Sequence, residues 1–541
     1  MPSNCDPETE QTTTCVDLSK AVESDNLPGS GTLPPDPEAL HPTVDLPPTN
    51  PEPNDVDSAE MRRELDGILS KGSLVSSHVV SAVHTLPTEL LSEIFDLCFP
   101  EELYQLATTS TPQDEFRRIS QDHILQLAHV CCRWYNVAMD TPKLWANISI
   151  HVYCWRHLTP PVGSILNMLA AALERGRNHP LTLTVCTSAS NQGAERALQL
   201  FVEHGHRWRE FTVSAIKRPP VPLLHATTTL ERLEWLRLYS VRRSDRRSWK
   251  DVEIFQDAPR LTKLDFSGYP SGLPKLPWNQ IKSCTHHVDE IFGCLHHSLT
   301  VLRNAAPGSS YQLDLDLRKC RSSDRPWDSV CSEVQDLQIC FSACNSATTE
   351  RLFDSLTLPR VQSLALQGTV SGIQFPFWAC DDSFLRLADR SNFYDHIFEL
   401  TICRVIVSDR DILRCLEVLP RLKSLSITGW PRAGVGRRRG PKRVITDRLL
   451  LALVYSADVP ALVPQLHELR LKPVHGKYSE SVYVDLVFSR VRKVCDVDNN
   501  GAFRATFAGR GRHRLSSSVM EAFDELVSAG KLVFIVSDTL L

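Results

Sequence analysis

The segment Leu419-Pro420-Arg421-Leu422-Lys423-Ser424-Leu425-Ser426-Ile427 carries the pattern from which the rest of the chain can be read. Its apolar residues Leu422, Leu425 and Ile427 are spaced by three and then two positions, with a proline two residues before the first. The same spacing recurs at Trp208, Phe211, Val213; Leu233, Leu236, Leu238; Leu261, Leu264, Phe266; Val334, Leu337, Ile339; Val361, Leu364, Leu366; Ile397, Leu400, Ile402; and Leu466, Leu469, Leu471. Proline takes the same place in Ala258-Pro259-Arg260-Leu261, Leu358-Pro359-Arg360-Val361 and Val463-Pro464-Gln465-Leu466. Residues two apart in a strand share a face. The second and third apolar residues of each copy are therefore expected on the inward face of a short strand, and the first in the turn before it.

Close successive copies lie about 25 to 28 residues apart, within the roughly 20 to 29 of a leucine-rich repeat. Runs such as Ile412, Leu413, Leu416 and Leu419 supply returning helices. In such an array each unit buries its apolar face only against its neighbours. Residues 151–495 are thus expected to form a leucine-rich-repeat-like solenoid of alternating helices and short parallel strands, an α/β fold class. An ordinary α/β domain is the alternative. A degenerate copy is expected around Leu299 and Leu302, in the gap after Phe266. Near the start of the array, Ile165, Leu166, Met168, Leu169 and Leu173 predict a helix that stops near Gly176, and Leu181-Thr182-Leu183-Thr184-Val185 predicts a strand. The run Val482 to Val487 has no clear phase. Over 496–541, Met520, Phe523, Leu526 and Val527 predict a helix leading through Gly530 to a strand at Leu532–Val536, together a cap for the array.

The other end of the chain differs in composition. Residues 1–57 are rich in Pro, Thr, Ser, Asp and Glu, too poor in apolar surface to offset the entropy of ordering, and read as a disordered tail. Over 58–85, Met61, Leu65, Ile68 and Leu69 predict leading helices. A net charge of -5 over 541 residues argues against a globally basic nucleic-acid binder. The chain has neither a charged start running into an apolar stretch nor roughly 18 consecutive apolar residues, so a soluble protein, cytoplasmic and/or nuclear, with no membrane partner, is expected. In those compartments its 17 cysteines are expected as reduced thiols.

Between tail and array lie two helical stretches. Leu86-Pro87 opens the first, where proline suits a first helical turn, and Leu90, Leu91, Ile94, Phe95 and Cys98 are expected on one face. A polar loop follows Pro100. Helical spacing resumes at Ile124, Leu127, Val130, Cys131 and Trp134, before Pro142-Lys143-Leu144-Trp145. These anchors, Leu86-Pro87, Leu90-Leu91, Ile94-Phe95, Val130-Cys131-Cys132-Arg133-Trp134 and Leu144-Trp145, resemble those of an F-box, and the match over residues 86–185 is similar to fungal F-box-like proteins. The insertion after Pro100 departs from the compact form. The resemblance implies a small all-helical F-box module over 86–150 that docks a Skp-type adaptor and, through it, a cullin. Leu86, Pro87, Leu90, Ile94, Phe95, Val130, Cys131 and Trp134 would supply its adaptor-facing and supporting surface. It further implies a non-catalytic substrate receptor of a ubiquitin ligase, the repeat array capturing a protein substrate whose identity the sequence does not reveal. An adaptor-independent repeat scaffold is the alternative, and a nuclear nucleic-acid-associated protein a weaker third.

Other constellations point less far. Cys284-Thr285-His286-His287 and Cys294-Leu295-His296-His297 offer thiols and imidazoles, but their spacing fits no zinc finger, and Ile291, Phe292, Leu295 and Leu299 suggest an amphipathic helix there. Gly436-Arg437-Arg438-Arg439-Gly440-Pro441-Lys442-Arg443 reads as a solvated basic loop, a nuclear-import signal or a phosphate-binding patch. Arg504, Arg510, Arg512 and Arg514 form a second basic stretch. The chain contains no phosphate-binding GxxxxGK[ST] loop, GxSxG elbow or HExxH pair, so neither catalytic residues nor a cofactor are expected.

Overall fold

A computed structural model describes residues 86–98, 124, 126–151, 162–187, 192–215, 219–241, 249–268, 273–287, 299, 301–316, 329–343, 346–368, 382–405, 407–429, 445–472, 478–497, 501–508 and 515–536. The tail, the leading helices, the insertion after Pro100, the basic run at 436–443, Cys294 to His297 and Arg510 to Arg514 lie outside the described residues.

Among the described residues, fourteen parallel strands form one sheet whose spatial order is the chain order. They are β1 Asn147–His151, β2 Leu181–Thr187, β3 Trp208–Ala215, β4 Trp235–Val241, β5 Lys263–Gly268, β6 Ser283–His287, β7 Ser310–Asp316, β8 Asp336–Ala343, β9 Ser363–Gly368, β10 Glu399–Cys403, β11 Ser424–Thr428, β12 Glu468–Lys472, β13 Phe503–Phe507 and β14 Leu532–Val536. Helices alternate with the strands, among them Val162–Arg175, Gln192–Glu203, Asp382–Arg390, Asp409–Glu417 and Ser517–Ser528, and the fold is solenoid-like. All eight copies of the spaced pattern fall on strands of this sheet, and the first residue of each lies just before its strand or opens it.

Register explains the pattern. Leu364 pairs with Leu337 on one side and Leu400 on the other, while Leu366 pairs with Ile339 and Ile402. The same two rows continue through Leu425 and Ile427 to Leu469 and Leu471, and every one of these residues is buried. Their common face packs under the helices, so each apolar position stacks on its equivalent in the next repeat. The prolines shape the approach. Val361 donates its backbone N–H to the Leu358 carbonyl, and Leu422 and Leu466 repeat the bond to Leu419 and Val463. These are four-residue turns with proline at the second position, where its fixed φ is already correct. At the far end, Gly530 adopts φ 68° and turns the chain from the helix Ser517–Ser528 into β14, the left-handed conformation glycine takes without strain.

Four strands escaped the sequence pattern, and their chemistry says why. Trp145, Ile148 and Ile150 form a copy of the motif that overlaps the Pro142-Lys143-Leu144-Trp145 segment, and they open the sheet as β1. At β6, Ile281, Cys284 and His286 keep the spacing, but a histidine fills the third position, where it is buried and stacked on Phe266 at 4.2 Å between ring centroids. Cys284 to His287 is therefore a repeat strand. β7 follows at Tyr311 and Leu313. The degenerate copy expected around Leu299 and Leu302 is not a strand: both are buried in a short helical stretch between β6 and β7. β13 places Ala505 and Phe507 opposite Leu469 and Leu471. The unphased run Val482 to Val487 belongs to the helix Glu480–Val497.

One device recurs at the helix ends, where the last carbonyls have no intrahelical partner. Trp145 Nε1 donates to the Ala138 carbonyl at 2.8 Å, and Trp208 Nε1 to the Phe201 carbonyl at 2.9 Å, each closing the helix seven residues earlier. Arginine does the same between neighbours: Arg207 donates to the Leu173 carbonyl at 3.0 Å, Arg390 to Phe353 at 2.7 Å and Arg490 to Leu453 at 2.8 Å. A cation there also meets the negative end of the helix dipole. Arg207 needs Gly176 for its approach, since a Cβ at that glycine would lie 2.7 Å from Nη2.

Candidate functional site

Two surfaces stand out, a helical hairpin at the start of the array and the face of the sheet turned away from the helices. In the hairpin, α1 Thr88–Leu97 is capped by the exposed Pro87, and α2 Cys132–Asp140 by Cys131, whose thiol accepts from the Trp134 N–H at 3.5 Å. Phe95 is fully buried, and its ring centroid lies 4.9 Å from that of the half-buried Trp134. Arg133 donates to the Leu86 carbonyl, tying the start of α1 to α2. Lys143 meets Asp96 at 2.5 Å, and Ser92 contacts Thr141 at 3.1 Å.

The single face expected for Leu90, Leu91, Ile94, Phe95 and Cys98 divides into two. Leu91 and Phe95 point inward, whereas Leu90 is 52% and Ile94 41% exposed, and Leu97 and Cys98 are also open. Successive helix residues are about 100° apart, so two adjacent apolar pairs cannot share one narrow stripe. Val130, 59% exposed, and Tyr135 are likewise open. Of the predicted site residues, Phe95 and Trp134 thus make the hairpin core, Leu86 and Cys131 are half-buried, and Pro87, Leu90, Ile94 and Val130 lie on the surface.

On the open face of the sheet, the residues between the apolar rows form rows of their own. A charged network crosses three of the strands. Arg237 on β4 reaches Glu210 on β3 at 3.3 Å and Asp265 on β5 at 3.6 Å, with its guanidinium carbon 3.2 Å from the centre of the Trp235 ring. Trp235 Nε1 donates to Asp265 at 3.0 Å. Burial pushes the Asp265 carboxyl above the usual carboxylate range, against the pull of Arg237 and of its hydrogen bonds. Farther along, His287 Nδ1 lies 2.6 Å from Asp314, which also accepts from Gln312 at 3.0 Å. The hydrogen bond to Asp314 outweighs burial and raises His287; burial of Asp314 is in turn outweighed by the bonds from His287 and Gln312, which hold it low.

No protein-family model matches this chain, and a comparison with curated proteins finds no match. The geometry therefore carries the argument alone. No group of side chains fit to hold a metal occurs among the described residues, and no helix among them is long and apolar enough to cross a membrane. The open-face network has no local motif in the sequence, but its signal lies in the spacing: once the apolar positions are phased, the alternate residues of each strand are fixed.

The His287–Asp314 pair has a pH signature. A histidine raised in the folded state adds stability that is full below its unfolded value, about 6.5, and is lost as pH rises through the folded value. A His287→Gln variant is therefore expected to melt below the wild type under mildly acidic conditions, with the gap closing as pH rises toward 8. Water screening of this partly exposed pair holds the gap to about 1 kcal/mol or less. Thermal melts across that range check it, and a gap independent of pH refutes the assignment.

Proposed function

We propose that the chain is a substrate-receptor subunit of a cullin-based ubiquitin ligase, docking a Skp-type adaptor through residues 86–150 and capturing a protein on its leucine-rich-repeat-like array. The observation that carries this reading is the division of α1: with Leu91 and Phe95 committed to the hairpin core, Leu90 and Ile94 remain as an exposed apolar pair one helical turn apart. Buried by a partner, each such side chain contributes about 1.5 to 3 kcal/mol. No catalytic residue is required of this chain. Holding a target close to a charged ubiquitin carrier raises their effective concentration, and the chemistry belongs to the carrier.

The test is reconstitution with a Skp-type adaptor. The wild type is expected to co-purify with it, and Leu90→Asp with Ile94→Asp to lose at least about 30-fold in affinity. Both substitutions fall on the surface, so melting should be unchanged. Failure of the wild type to bind, or binding indifferent to the double variant, rejects adaptor docking. The second reading, an adaptor-independent scaffold with the hairpin as an end cap, is favoured by the continuity of Trp145 with β1. It expects no adaptor binding at all.

A further inference from the structure

The residues that face away from the helices run across the sheet in register. From β5 to β12 the central row reads Asp265, Thr285, Gln312, Gln338, Ala365, Thr401, Ser426 and Arg470. Beside it, from β7 to β12, run Asp314, Cys340, Gln367, Cys403, Thr428 and Lys472. Over these strands both rows run from a carboxylate to a cation and are uncharged between; beyond the carboxylates the first continues to Arg237 on β4 and the second to His287 on β6.

The ends differ in sign as groups. Over strands β3 to β8 there are four carboxylates among the described side chains, Glu210, Asp265, Asp314 and Asp336, against the cations Arg237, Lys263 and the exposed Arg209, which pairs with Glu210 at 3.3 Å, and the titratable His287. Arg237 is already shared between two of these acids. Asp336 is half-buried, has no ion pair among the described residues, and its carboxyl is raised by burial. Over β12 and β13 the face carries Arg470, Lys472 and Arg504 against Glu468 alone. Arg504 is exposed and has no ion pair among the described residues. Among the described strand residues of β9 to β11 the one charged side chain on this face is Glu399, in the row nearest the turns.

We propose that this face binds an extended peptide of graded charge, lying across the strands with its basic end over β5–β8 and its acidic end over β12–β13. Charge complementarity selects the occupant, because Asp336 at one end and Arg504 at the other have no ion pair among the described residues. The middle is built of hydroxyls, amides, thiols and a methyl, which leave room for a backbone and supply hydrogen-bond partners to it. Strands about 4.8 Å apart place Asp314 and Lys472, five strands distant, about 24 Å from each other, the reach of about seven extended residues at roughly 3.3 Å each. The surface lies on the array and does not depend on adaptor docking.

The probe is a fluorescein-labelled peptide with about three lysines, about seven serines and glycines, and about three glutamates in that order, made also in the reverse order. A control of the same composition carries its charges alternately. Fluorescence anisotropy with the full chain at low salt, where exposed charges are least screened, is expected to show one of the two graded peptides binding at least about tenfold tighter than the control. Asp336→Lys and Arg504→Glu should each erase most of that preference while leaving thermal melting unchanged. The Leu90→Asp, Ile94→Asp chain should bind the peptide as the wild type does, which separates this proposal from adaptor docking. Equal binding of graded and alternating peptides, no binding of any of them, or a preference untouched by both charge reversals overturns it.

Discussion

Trp208→Ala is expected to destabilise the array by about 3 to 5 kcal/mol and to open its N-terminal end first. Trp208 is the largest fully buried side chain of the described residues, stacked on Phe211 with ring centroids 4.3 Å apart. Its removal leaves a void between β3 and the helix Gln192–Glu203 and strips the Phe201 carbonyl of its donor. Because a repeat array is held by neighbour-to-neighbour contacts, the damage should stay local. Amide exchange should accelerate over β1 to β4, with β10 to β12 much less affected. Trp208→Phe, which retains a ring and loses the indole N–H, is expected to cost only about 1 to 2 kcal/mol. Uniform acceleration along the whole sheet would refute the local account.

The second large effect is expected at Arg490. Its side chain has no exposed surface, donates to the Leu453 carbonyl at 2.8 Å and the Val463 carbonyl at 2.7 Å, and is pushed down by burial to about 10. At neutral pH it still carries its charge. Truncation in Arg490→Ala leaves a cavity and two carbonyls without their donor, and a loss of about 3 to 5 kcal/mol is expected. Arg490→Met fills much of the volume and removes the cost of burying a charge, so it should fall between alanine and wild type. Urea unfolding followed by exchange at β12 and β13 measures both. A loss below about 1 kcal/mol for alanine would mean that water replaces the guanidinium and that the arginine is dispensable as a cap.

How much of this was readable from the residues depended on what kind of side chain filled each position. Leu422, Leu425 and Ile427 announced a strand because all three are apolar, and equivalent triads elsewhere did the same. His286 hid β6, because an imidazole stacked on Phe266 does a leucine's work without a leucine's hydropathy. Ala505 and Tyr311 hid β13 and β7 in related ways, one by smallness and the other by its hydroxyl. On α1 the anchor residues were identified, but adjacent apolar residues 100° apart did not reveal which pair would turn inward until the packing of Phe95 on Trp134 was known. The open-face network was illegible for a different reason. Glu210, Arg237 and Asp265 are distant in the chain, and only the register of three parallel strands makes them neighbours.

Trp145 closes the last turn of the hairpin, and it is also the first residue of the first repeat triad. A cut at residue 150 therefore does not separate a module from a body. It removes β1, bares the flank of β2, and takes away the ring over which the Arg175 guanidinium sits at 4.7 Å. With no tether between hairpin and sheet, a grip on one fixes the bearing of the other. Whatever holds α1 also aims the whole ladder of strands.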